Sequence, residues 1–153
     1  MAALDRIVSF ILRGAQLAFA VICVAILAHY LSQSPQSDDP AFARFIYTIV
    51  TAGISVLVSL VLLLPFSGTF TSWPTDIFIS LMWWAAFAIL VDLIGSSCGA
   101  IFYWGNIAPR GDQCGRFKAV IAFSFLSAIV WLAMAGIGLF WVRRHRQRRT
   151  SRV

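Results

Sequence analysis

Asp92 is the residue whose type and setting most invite chemistry. It sits inside a long apolar run, and a carboxylate in hydrocarbon is costly enough that it normally faces protein or water. Leu81, Ala85, Ala88, Asp92, Gly95 and Gly99 recur at intervals of three and four. On a helix this makes a stripe of mostly small residues ending in GxxxG, and small residues let helices approach closely in lipid. The spacing therefore turns Asp92 toward a bundle interior. It is then either a proton or ion site, or a neutral, hydrogen-bonded packing residue. With one acid and no second intramembrane charge, packing is preferred. His29, Tyr47 and Thr48 lie at suitable depth to be its partner. Thr51, Ser55 and Ser59 form a polar stripe at spacing four, and Gly14 with Ala18 forms a small pair. A solute pathway needs such a lining, but close helix packing needs it too and is the commoner reason.

Cys98 and Cys114 stand sixteen residues apart on either side of a connector. On a non-cytosolic face a disulfide is permitted, and closing this ring stabilises by roughly 3 kcal/mol on the chain-entropy estimate. A redox pair would want closer spacing such as CxxC. A structural disulfide is expected, with Cys23 left as a free thiol among core residues. Three cysteines and two histidines are too scattered for a recognisable zinc site. No phosphate-cradling glycine loop, nucleophile elbow or paired-carboxylate motif occurs. No catalytic residue, metal or cofactor is expected.

The elements that must position these residues follow from composition. The chain has 153 residues, 60% hydrophobic and 12% charged, with mean hydropathy +0.85. Ordinary soluble domains are about 45–50% apolar and about 25% charged, and a soluble chain this small could not hide the excess. The sequence is that of a membrane protein. Four apolar runs, at about residues 11–31, 44–66, 75–98 and 117–142, each meet the roughly 20-residue length of a spanning helix. The first run is too long in its apolar core for a signal peptide and lacks a clean cleavage site, so an uncleaved span is expected. The fold class expected is all-α: an integral membrane four-helix bundle over residues 1–142, followed by a basic tail at 143–153.

Orientation follows from basic residues on short loops. Four spans put both termini and the 67–74 turn on one side. That side holds Arg6, Arg13, Arg143, Arg144, Arg146, Arg148, Arg149 and Arg152, against Arg44, Arg110, Arg116 and Lys118 on the other. Eight bases against four place both termini in the cytoplasm. The net charge of +6 would suggest nucleic acid in a soluble chain. Half of the bases crowd the last eleven residues, so an anionic membrane surface is the expected attraction and nucleic acid is not. The tail first of all enforces topology, and Arg143, Arg144, Arg146, Arg148 and Arg149 meet headgroups as a consequence.

The chain resembles the MARVEL family, its small fungal four-span members above all. Arg13-Gly-Ala-Gln-Leu-Ala-Phe-Ala resembles the family's opening Arg-x-x-Gln-Leu-x-Phe pattern. Trp83, Trp84, Ala85, Ala86 and Phe87, followed by Asp92 and Cys98, resemble its third span, and Cys114 stands before the fourth. The likeness covers about residues 10–142. It implies a non-enzymatic protein of membrane apposition, lipid-rich microdomains or vesicle traffic, in the plasma membrane or an endomembrane. Its expected partners are membrane lipids (anionic headgroups, sterol or sphingolipid) and copies of itself or a larger membrane complex. The rival expectations are a small transporter or channel using Asp92, or an accessory subunit.

Overall fold

A backbone that crosses hydrocarbon must satisfy its polar groups within itself, and helices are the simplest way to do so. The computed structural model describes residues 2–33, 40–64, 73–97 and 113–152. They form four helices: α1 (Ala2–Gln33), α2 (Pro40–Leu63), α3 (Trp73–Ser97) and α4 (Gln113–Thr150). All four are long and apolar enough to cross a membrane. Pro40 opens α2 and Pro74 lies in the first turn of α3, where a missing N–H breaks no helical bond. Asp76 in that same first turn, and Arg148 and Arg149 in the last turn of α4, complement the helix dipoles.

Two helices outrun their apolar segments. α1 begins at Ala2 and α4 continues to Thr150, beyond the expected limits near 11 and 142. Apolar runs mark hydrocarbon, whereas helix propagation, once nucleated, carries on through good helix formers such as arginine and glutamine.

The helices pack in a ring: α1 touches α2 and α4, and α3 touches the same two neighbours. α1 and α3 therefore face each other across the centre. The buried seam of α1 is Arg13, Gln16, Ala20, Cys23 and Leu27, alternating steps of three and four as in a coiled coil. α3 turns Asp76, Ile79, Ser80, Trp83, Ala86 and Leu90 inward. One apolar cluster gathers Cys23, Ile79, Trp83 and Trp131 near the middle. A second gathers Leu27, Phe45, Leu90 and Val120, capped by Tyr30, Phe45 and Phe117 with ring centroids 5.0–5.1 Å apart. Asp5, Trp73 and Arg144 line one cleft, so the start of α1, the start of α3 and the end of α4 share one end of the bundle, the terminal end.

Candidate functional site

Arg13 and Asp76 form the charged centre of the molecule. They come from the diagonal helices α1 and α3, and they meet inside the bundle at 5% and 2% residue exposure. The guanidinium grips the carboxylate with both prongs. Nη1 donates to Oδ1 at 2.7 Å and Nη2 to Oδ2 at 2.9 Å, the fork geometry that makes arginine–carboxylate pairs strong and directional. Nη1 also donates to Oε1 of Gln16, one turn along α1, at 3.1 Å. The ring of Trp131 on α4 lies 5.7 Å below the guanidinium carbon, within cation–π range. Three helices thus converge on one arginine.

The layer above continues the polar theme. Ser80 donates to the Ala128 carbonyl at 3.0 Å, tying α3 to α4. Trp83 Nε1 donates to Ser55 Oγ at 2.9 Å, tying α3 to α2, while Ser55 itself donates to Thr51 O at 2.8 Å. In lipid the surrounding tails are as apolar as any leucine, so cross-helix polar contacts and tight packing hold such bundles together. Gln16 Nε2, Ser59 Oγ, Ser127 Oγ and Trp131 Nε1 are buried with no hydrogen-bond partner among the described residues. All four can donate.

Beneath the ion pair a cleft of about 870 Å³ opens between α1, α3 and α4 at the terminal end. The buried pair Arg13 and Asp76, the apolar Val8, Met134 and Ile137, and the exposed Arg6 and Arg144 all line it. Among the described residues no group of three or more His, Cys, Asp or Glu side chains comes together.

The sequence matches the model of the MARVEL family, a membrane-associating domain, over residues 6–137. The chain belongs to the MARVEL family. A comparison with curated proteins returns no match. The MARVEL assignment and the four spanning helices make this an integral, multi-pass membrane protein, from a family of structural membrane-associating domains not known for enzymes. Arg13 and Gln16, the polar residues of the segment that carried the resemblance, are both buried in this MARVEL chain, and Arg13 bridges from Gln16 to Asp76.

Asp92 proves to be placed differently from the expectation. It does not face the bundle interior: its side chain is 75% exposed, at the end of α3 away from the termini, and it accepts from Arg44 Nη1 on α2 at 2.9 Å. Leu81, Ala85 and Ala88 lie on the same outward face. The reason is the rotation of α3. Its inward face carries the bulky Trp83, whose N–H finds Ser55, with Ala86 beside it, while Ala85 and Ala88 are left outside. His29 is exposed as well and lines a shallow hollow beside Arg116 and Phe117. Thr48 and Tyr47 serve backbone carbonyls, at Arg44 (3.0 Å) and Met82 (3.5 Å). Asp92's partner is thus Arg44, and the buried charge sits elsewhere.

The polar stripe of α2 does face inward: Thr51, Ser55 and Ser59 are buried. The pair Gly14 and Ala18 points outward. Cys23 is a buried free thiol in the core. Cys98 and Gly99, the surroundings of Gly95 and the side chain of Cys114 lie outside the described residues. Arg143, Arg144, Arg146, Arg148 and Arg149 are exposed along the last turns of α4.

Asp76 escaped sequence reasoning, and Arg13 entered it as a topology signal and as the first residue of the family-like pattern, not as half of an ion pair. A usable signal existed. Arg13 and Gln16 share a helix face, and Asp76 enters the next odd-numbered span from the same side of the membrane. An arginine seven residues inside α1's polar beginning at Arg6 needs a carboxylate there.

Proposed function

We propose that this protein is a non-enzymatic organiser of membrane, acting in lipid-rich microdomains, membrane apposition or vesicle traffic. Both termini face the cytoplasm, and the arginine tail rests on anionic headgroups. The observation that carries the reading is where the polar chemistry goes. Arg13 with Asp76, Ser80 with the Ala128 carbonyl, and Trp83 with Ser55 use their hydrogen bonds to fasten helix to helix. Meanwhile Gly14, Ala18, Ala85 and Ala88 face outward, where small residues suit close approach of another helix. Homo-oligomers or a larger membrane complex are the partners this surface fits.

Within the family, the likeness of Trp83 to Phe87, Asp92 and Cys98 to the third span of the small fungal four-span members supports reading the chain as one of them. A Cys98–Cys114 disulfide closes the connector between the third and fourth spans. Alkylation of unreduced protein followed by mass spectrometry should then modify Cys23 alone.

Giant vesicles with phase-separating lipids provide the functional test. The purified chain should gather in one phase and cluster there, without dissipating a pH gradient. A proton flux abolished by Asp92→Asn would overturn this reading in favour of a transporter.

A further inference from the structure

We propose that the terminal-end cleft is a binding site for one anionic glycerophospholipid, with an acyl chain between α1 and α4 and its phosphate between Arg6 and Arg144. This deepens the membrane-organising reading and rests on it.

The geometry begins with size. At about 870 Å³ the cleft falls in the 300–1,000 Å³ range of small-molecule sites. Val8, Ile137 and Phe140, three of its lining residues, are exposed, so the opening faces sideways into the surroundings of the bundle, where lipid lies. Gly136 contributes no side chain, and a Cβ built there meets nothing within 4 Å. The α4 wall is therefore hollowed at the point where a chain would enter.

Charge then selects the headgroup. The cleft is lined by Asp5, Arg6, Arg13, Asp76 and Arg144. Arg13 and Asp76 neutralise each other, leaving two arginines against Asp5. Among the described residues neither Arg6 nor Arg144 enters an ion pair.

The two arginines also converge in depth. Arg6 lies seven residues before Arg13, about 10 Å toward the terminal end at helical rise. Arg144 lies thirteen residues beyond Trp131, but its guanidinium folds back to within 5.8 Å of the Phe140 ring, roughly 14 Å below Trp131 by the same rise. Helical side chains lean toward their own N-terminus. On antiparallel α1 and α4 that lean brings Arg6 down and Arg144 up, toward one level. Trp73 and Trp141 border the cleft at this end, and indole rings favour the headgroup zone. An apolar slot topped by two cations and flanked by indoles matches an anionic phospholipid, tail inward and phosphate at the rim.

The test uses the full-length chain in nanodiscs of phosphatidylcholine with or without phosphatidylserine, released into mild detergent for native mass spectrometry. Wild type should retain one phosphatidylserine per chain in preference to phosphatidylcholine. Arg6→Gln with Arg144→Gln should weaken retention by about thirtyfold, taking about 1 kcal/mol per arginine and 1.4 kcal/mol per decade. Gly136→Leu, which fills the hollow and leaves both arginines in place, should abolish retention. Arg148→Gln with Arg149→Gln, outside the cleft, should leave it unchanged. Melting in phosphatidylcholine alone shows that each variant folds. Soluble glycerophosphoserine should not compete, because it lacks the chain that fills the slot.

Equal loss in the tail variant, or full retention by Gly136→Leu, would overturn the proposal and assign lipid binding to the surface charge. Clustering in vesicles by the wild type, together with full lipid retention by the cleft variants, would leave the organiser reading standing while the cleft proposal falls.

Discussion

At the residue scale the dominant feature is a charge pair where the chain can least afford a lone charge. Removing one partner of a buried pair strands the other, which costs about 3–5 kcal/mol, whereas replacing both by apolar residues of similar volume is often neutral. Arg13→Met and Asp76→Leu should each lower the unfolding free energy by about that amount, and the double variant should recover most of it. A double-mutant cycle from unfolding in mixed detergent measures the coupling, and additive losses would mean that the two residues act separately. Ser55→Ala should cost about 1–3 kcal/mol in the same measurement, because it leaves the indole N–H of buried Trp83 unpaired. Asp92 belongs to the opposite class. Its pair with Arg44 lies on the outside of the bundle, where the Asp92 side chain is 75% exposed. Asp92→Asn and Asp92→Leu should therefore both be tolerated, where an inward-facing Asp92 would tolerate only the first.

At the element scale the question is how the helices choose their faces. Gly138 approaches α3 closely enough that an added Cβ would lie 3.1 Å from Trp73 Cβ, whereas Gly14 has nothing within 4 Å. Gly138→Ala should thus lower the melting temperature through overpacking of about 1 kcal/mol. Gly14→Ala should leave it unchanged or raise it, since alanine is the better helix former by about 0.5–1 kcal/mol. Equal effects would mean that α3 and α4 do not meet at Trp73. These faces also mark what could be read in the sequence. The number of helices, their order and their approximate spans follow from apolar length alone. Rotation about each axis does not. In a soluble helix the polar side reveals the outside, but around α3 lipid and protein are equally apolar surroundings. The small-residue rule then selected Ala85 and Ala88, and the fold buries Trp83 and Ala86. On α2 the hydroxyl stripe did betray the inward face, because Thr51, Ser55 and Ser59 gain partners or burial only there.

At the scale of the whole molecule, the arginines have two separable tasks, and topology tests the separation. Arg13 is consumed by Asp76, so it contributes to packing, while Arg143 to Arg149 extend on exposed helix beyond the core. Insertion reads lysine and arginine near span ends, with aspartate counting little. Replacing Arg143, Arg144, Arg146, Arg148 and Arg149 by glutamine changes the balance from eight against four to three against four. The wild-type tail should be protected from protease added outside intact cells. The glutamine variant should show a mixed population, part of it cleaved from outside. Arg13→Met should keep the tail fully protected while losing stability, because the remaining seven bases still outnumber four. If the wild-type tail were cleaved from outside, the orientation would be reversed. If Arg13→Met alone scrambled the topology, this arginine would be an insertion signal as well as the clamp between α1 and α3.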